Sequence, residues 1–347
     1  MKAHFLAFAP LLLAPACSAE TVAQPPPAPV NWSSLHPLAV ADAGSNTVTA
    51  LERGLPELYA KALSSAPVDG GAQFGDLAPL LNADLAGFSS PGATPAHEPA
   101  AIVAAHAKLF GAFDDRKLAL LRIFRTPAEQ TLEWQLTGTQ TREWQGIAPT
   151  HRPVAFKGVT LLWTKDDGTI VDVHVYFDIA LVKAQLGGGP TQLQGLPLPA
   201  APTGSPQVFE DPAGGAGEDD RNVAVVKGAL DALESSHEPA YLAAMADDLQ
   251  VETLERAPAK GKAEARAYYQ ALHRSIGQLD TTVMSAWGVA PFVVVEYSVG
   301  GEQLGPMGWI PARRDSVVRF GAVDLCELRD GKIAHVWRYD SPAEVLE

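Results

Sequence analysis

Apolar residues recur with two periods along the chain, and they do so in the same order twice. Ile102, His106, Leu109 and Phe113 have the spacing of one helix face. Alternating segments follow at Arg116 to Phe124, Thr131 to Thr141, Val154 to Thr164 and Thr169 to Phe177, and these predict strands, with Asp167-Gly168 as a hairpin turn. The second pass has helical spacing at Val226, Leu230 and Leu233, a short apolar helix over Tyr241 to Ala246, and a third over Ala265, Tyr269, Leu272, Ile276 and Leu279. Strands are then predicted over Val283 to Trp287, Phe292 to Val299, Ser316 to Leu328 and Ile333 to Tyr339, with a turn at Asp330-Gly331. Helices before strands, twice, predict an α+β chain of two tandem cone-shaped domains. Each has about three helices packed in a strongly bent antiparallel sheet that leaves an apolar pocket inside.

The two passes are related in sequence. At an offset of 163 residues, Gly138 aligns with Gly301, and the stretches stay in register without a gap for about forty residues. Glu133 then faces Glu296, Gln140 faces Gln303, Ile147 faces Ile310, Gly158 faces Gly321 and Tyr176 faces Tyr339. A period this long is domain duplication, because solenoid units run to roughly 20–50 residues.

Composition shifts mark the boundaries. Lys2, the apolar run Leu6 to Leu13 and Ala14-Pro15-Ala16 form a signal peptide over residues 1–16, with Cys17 next. That arrangement resembles a bacterial lipoprotein signal, whose first mature residue is a lipidated cysteine. Residues 17–45 then form a Pro-rich tether to a membrane anchor, and the chain is expected in the cell envelope, facing the periplasm or exterior. The first domain spans 46–186 and the second 221–347. Between them, 187–220 is rich in Gly, Pro and acid, with too little apolar periodicity for a core element.

With 347 residues, 47% hydrophobic, the chain can hold two cores of ordinary size. Its formal charge of −14 argues against a nucleic-acid partner, which would need clustered Lys and Arg. Cys326, the other cysteine, lies in an apolar alternating segment and reads as a small buried hydrophobe. The nine histidines form no HxH, HxxxH or HExxH spacing, so neither a metal nor another cofactor is expected.

The last strand of the first domain has a polar face. Asp172, His174, Tyr176 and Asp178 share one side by period two, and Val171, Val173, Val175 and Phe177 the other. The polar side reads either as a pocket wall or as a solvent-facing surface. His174 and Asp178 are no dyad, because four residues along a strand separate them by roughly 13 Å. His106, on the apolar stripe of its helix, lines the core or a pocket, and Trp134 and Trp144 could wall a flat ligand.

The runs GTQTREWQGIAPTHRPVAFKG (Gly138 to Gly158) and DDGTIVDVHVYFDIALVKAQLG (Asp166 to Gly187) resemble the signature of SnoaL-like polyketide cyclases, within the nuclear-transport-factor-like α+β superfamily. The resemblance implies cofactor-independent ring closure with an aspartate of the last strand as general acid/base, and Asp178 is the matching residue. Such chemistry needs a carboxyl group whose pKa is raised in an apolar pocket. His174, Tyr176, Trp134, Gln140 and His106 would line that pocket. The chain departs from the pattern where Gln140 replaces a common histidine, since Gln carries no proton at neutral pH. In the second domain Trp337 takes the His174 place, Tyr339 the Tyr176 place and Ser341 the Asp178 place. That domain reads as silent in this chemistry, a scaffold or a second pocket lined by Trp337 and Tyr339.

Two functions stay open. One is a cyclase-like acid/base enzyme acting through Asp178 on a hydrophobic carbonyl compound. The other is a non-catalytic envelope lipoprotein that binds or relays a hydrophobic small molecule, or makes protein contacts. The two domains are expected to pair with each other, or the chain to form a homodimer.

Overall fold

The computed structural model describes residues 50–64, 74–84, 86–90, 93–211, 217–253, 258–313 and 316–340. The signal segment, Cys17, the tether and Ser341 lie outside the described residues. The first domain holds helices α1 (Ala50–Ser64), α2 (Pro99–Phe110) and α3 (Ile179–Gln185). Its strands are β1 (Gly87–Ser89), β2 (Ala96–His97), β3 (Lys117–Arg125), β4 (Glu129–Thr139), β5 (Pro153–Thr164), β6 (Ile170–Phe177) and β7 (Gln207–Glu210). The second domain holds α4 (Glu218–Glu234), α5 (Glu238–Ala243) and α6 (Lys262–Ser275). Its strands are β8 (Met245–Thr253), β9 (Ala259–Lys260), β10 (Ile276–Val289), β11 (Phe292–Gln303), β12 (Val317–Arg329) and β13 (Lys332–Asp340).

The α+β class holds, but the expected strongly bent antiparallel cones do not. The first sheet runs β2-β1-β6-β5-β4-β3-β7 and the second β10-β11-β12-β13-β8-β9, each open, with two separate edges. Both are mixed, because β1 pairs parallel to β6, β7 to β3 and β8 to β13. The physical reason lies behind the sheets. Each lays its helices on one face and the other domain's sheet on the opposite face, and two sheets pack face to face only if both stay open enough to lie about 10 Å apart.

Period two decides which residue goes where. On β11, Val293, Val295, Tyr297 and Val299 join the core under the helices, while Phe292 and Val294 join a separate apolar cluster between the sheets. On β5, Val159, Leu161 and Trp163 face the second domain, and Phe156 and Leu162 face the first domain's own helices. The inter-sheet cluster also takes Phe124, Tyr176, Trp287, Val323, Leu325 and Tyr339.

Two segments read as linker are structured. Strand β7 edges the first sheet, where Phe209 stacks on Phe124 at 5.2 Å and approaches Phe292 at 4.4 Å. Helix α4 begins at Glu218, inside the segment read as linker.

The ungapped repeat also needs correction. Glu133 pairs with Val159 across β4 and β5, and Glu296 pairs with Val323 across β11 and β12, so β12 is displaced by 164 residues from β5 rather than 163. Val159 then pairs with Tyr176 and Val323 with Tyr339, which restores 163 on β13. The spatial counterpart of Gly158 is therefore Ala322, and that of Thr160 is Asp324. A one-residue slip changes the face of every side chain on a strand, so this displacement decides which polar groups face inward.

Candidate functional site

The polar face of β6 is neither solvent-exposed nor a pocket wall; it is covered by the second domain. His174 Nδ1 lies 2.6 Å from Glu296 Oε1, and the Tyr176 hydroxyl donates to the same oxygen at 2.7 Å. Ser285 Oγ, one strand over, donates to Glu296 Oε2 at 2.9 Å. Glu296 is fully buried, and these three groups satisfy it. The other ring nitrogen of His174 faces Asp172 at 3.4 Å. Burial alone would lower the His174 pKa, but Glu296 and Asp172 override it and raise the pKa to about 10, so the ring is an imidazolium at neutral pH.

Across the interface the arrangement is repeated with the domains exchanged. The Tyr339 hydroxyl donates to Glu133, which is ion-paired to Arg122 of its own sheet. The Arg122 guanidinium lies 3.6 Å over the ring of Trp337, and Trp337 stacks on His335 at 3.7 Å. Burial first and Glu133 second hold the Tyr339 proton on well above the usual phenol range.

Sequence-predicted residues thus divide into two groups. His174, Tyr176, Trp337 and Tyr339 come together, as parts of the seam between domains. Trp134, Gln140 and His106 stay inside the first domain. The Trp134 indole donates to Thr160 Oγ1 at 2.9 Å, and its ring lies over Gly158, where a Cβ would come within 2.3 Å of it. Phe110, Phe156 and Phe177 surround Trp134, all buried. Gln140 clamps a loop: its amide donates to the Ile147 carbonyl at 3.0 Å, and its oxygen accepts from the Thr150 backbone and hydroxyl. Gln303 repeats that clamp on Pro311 and Arg313. His106 Nδ1 donates to the Ile102 carbonyl and Nε2 accepts from Tyr59, both at 2.9 Å; burial lowers its pKa to about 4. It is a neutral core histidine.

Asp178 follows the end of β6 and caps α3. It is 1% exposed, and its Oδ1 accepts from the Leu181 backbone N–H at 3.1 Å. That is the role of an N-cap carboxylate.

The cavity lies in the other domain. Under α4, α5 and α6 a space of about 50 Å³ is lined by Ala229, Leu233, Tyr241, Leu249, Cys326 and Val336, among others, with Asp324, Glu264, Arg338 and Tyr268 among its polar lining residues. Arg338 grips Asp324 with Nε at 2.8 Å and Nη2 at 2.7 Å, and the Tyr297 hydroxyl adds a third bond at 3.1 Å. The guanidinium carbon lies 4.6 Å over the Tyr268 ring. Burial opposes the charge on Arg338, but Asp324 holds its proton on. The first domain has no such pair, because Thr160 stands at the Asp324 place and accepts from Trp134, whose own counterpart is Tyr297. A second depression, open to solvent, lies beside Lys108, Arg142 and Trp144; Asp178 lines neither.

Sequence reading did not pair Glu133, Glu296 or Asp324 with a partner, nor single out Arg122 and Arg338. A signal existed for the first two: a carboxylate repeated at the same place within an otherwise apolar strand. Among the described residues no group of three His, Cys, Asp or Glu could hold a metal, and no helix is long and apolar enough to cross a membrane.

The family profile of SnoaL-like polyketide cyclases matches residues 76–186 and 224–346. The chain belongs to that family, in both domains. Similar solved structures include a candidate SnoaL-like polyketide cyclase from Jannaschia sp. CCS1, 19% identical over 38% of this chain and 92% of that one, TM-score 0.35. An LEH-like epoxide hydrolase from M. tuberculosis is 18% identical over 38% of this chain and 90% of its own, TM-score 0.32. A protein with a ketosteroid isomerase-like fold from Catenulispora acidiphila, in complex with trimethylamine, is 18% identical over 35% and 88%, TM-score 0.31. Membership rests on the two matched stretches and not on these likenesses. No curated protein matches the chain.

Proposed function

We propose that this protein binds a compact, mostly apolar molecule bearing a carbonyl or carboxylate oxygen, and that it does so in the second domain. The observation that carries this reading is the apolar cavity with a fixed Arg338 at its edge. Asp324 and Tyr268 hold the guanidinium in place at the cavity wall, where it would donate to an oxygen of the ligand. Size limits the class. Pockets for drug-sized ligands run to roughly 300–1,000 Å³, and a dry cavity of about 150 Å³ accepts benzene. At about 50 Å³ the space suits a short-chain ketone or acid rather than a multi-ring polyketide. In this reading the first domain is the structural partner, since aromatic rings fill the place of the cavity and Asp178 is engaged as a helix cap.

The test is thermal denaturation of the full chain with butanone, butyrate and benzene, each in wild type and in Ala229→Phe, which fills the cavity. A rise in Tm with butanone or butyrate, absent in the variant, is expected. A rise with none of the three, or an equal rise in both proteins, contradicts the reading.

Export and lipid anchoring rest on residues 1–30 and are proposed on that ground alone. Fatty-acid labelling of the chain in a bacterial host, lost in Cys17→Ser, is the expected result; labelling of neither protein contradicts it.

A further inference from the structure

The seam between the domains has two halves built on the same plan but neutralised differently. Each half centres on a buried glutamate, Glu133 in one and Glu296 in the other, bonded to a tyrosine of the opposite domain. Beside each glutamate on the neighbouring strand, just past a bulge, stands Arg122 in the first half and Ser285 in the second. Opposite each, from the other domain, stands Trp337 in the first half and His174 in the second. These two are equivalent, since His174 pairs with Leu161 and Trp337 with Leu325.

The cation therefore comes from the glutamate's own sheet in one half and from across the seam in the other. Arg122 pairs with Glu133 and lies on the face of Trp337. Ser285 offers only a hydroxyl, and His174 supplies the charge. Geometry requires that charge, because both ring nitrogens of His174 face carboxylates and a neutral imidazole has one N–H.

We propose that positions 122 and 285, together with 174 and 337, form a reciprocal pairing code: the sheet face of the first domain accepts the unlike face of the second and rejects a copy of itself. Two first-domain faces would set Arg122 over the His174 imidazolium, cation against cation at stacking distance. Asp172, at the rim beside His174, stays there in either pairing and does not separate the two. Two second-domain faces would leave buried Glu296 opposite Trp337 and beside Ser285, with no cation at all. An uncompensated buried charge is among the costliest defects an interface can carry. Only the unlike pairing gives each glutamate one cation.

Both rejected arrangements can be installed in the intact chain. His174→Trp recreates the half that two second-domain faces would form, and Ser285→Arg the half that two first-domain faces would form. The double variant recreates the Arg122/Trp337 half, which the protein already tolerates. Thermal denaturation of the full chain should show a lower Tm in each single variant and recovery of most of the larger loss in the double. A double variant as unstable as the two losses added, or single variants as stable as wild type, overturns the proposal. Should the variants fail to fold, ¹⁵N NMR of the wild-type histidines at pH 7.5 decides. His174 must carry protons on both nitrogens, and a neutral ring there overturns the code.

Discussion

The Tyr176 hydroxyl donates to Glu296 at 2.7 Å across the seam between the domains, and its repeat, Tyr339, donates to Glu133 in the reverse direction. Residue i contacts j while the counterpart of j contacts that of i, which is the signature of a two-fold interface. In this chain the two-fold is internal. Duplication has placed both halves of a symmetric pair on one polypeptide, and the sheets close on each other over Trp163, Phe292, Val323 and Leu325.

The charged seam makes stability depend on pH. The folded pKa of His174 is about 10 against roughly 6.5 in an unfolded chain, so its contribution is complete below about pH 6.5 and is lost as pH rises towards 10. The groups facing it are Glu296, Asp172 and the Tyr176 hydroxyl. The stability difference between wild type and His174→Gln, measured by urea denaturation, should shrink from pH 6.5 to pH 9 by up to ~1.4 kcal/mol per pH unit. A difference that stays constant or grows contradicts a charged His174.

Asp178 should behave as a cap. Asp178→Ala is expected to cost ~1 kcal/mol, and Asp178→Ser, which keeps an acceptor for the Leu181 N–H, only a small part of that. Urea denaturation of both variants checks this. Equal losses in the two would contradict the capping role.

Gly158 makes room for Trp134. A Cβ there would come within 2.3 Å of the indole and 2.8 Å of the Tyr176 carbonyl oxygen. Gly158→Ala should therefore cost ~1–3 kcal/mol by overpacking. Combining it with Trp134→Phe should return part of that loss; a neutral Gly158→Ala would contradict a closely filled first domain.

How much of this was readable in the sequence depends on how far apart the determinants lie. Alternation on β6 set His174 and Tyr176 on one face and Val173 and Val175 on the other, as the structure has them, because period two is a local property. What covers that face depends on a partner some 120 residues away, and no local pattern carries that. The same alternation misplaced Asp178 by one step, since the strand ends at Phe177 and the chain turns into α3. Asp324 was left without a partner, although it and Arg338 flank the Asp330-Gly331 turn at nearly equal distances, as a hairpin requires. The ungapped offset of 163 set Asp324 against Leu161, an apolar residue on the other face, and hid its true counterpart, Thr160. The sheets were expected to bend because helices followed by antiparallel strands, twice, suggested sheets wrapped around their helices. Their open form follows from packing against each other, a tertiary effect that strand patterns do not record.

The central claim is that the two domains are joined through reciprocal tyrosine–glutamate bonds, and a double-mutant cycle tests it most directly. Tyr176→Phe, Glu296→Gln and the pair together would be compared with wild type by urea denaturation of the full chain. Groups bonded across the seam should show a coupling of ~0.5–3 kcal/mol. Single losses that add to within ~0.5 kcal/mol would mean that Tyr176 and Glu296 do not meet, and the seam described here would be wrong.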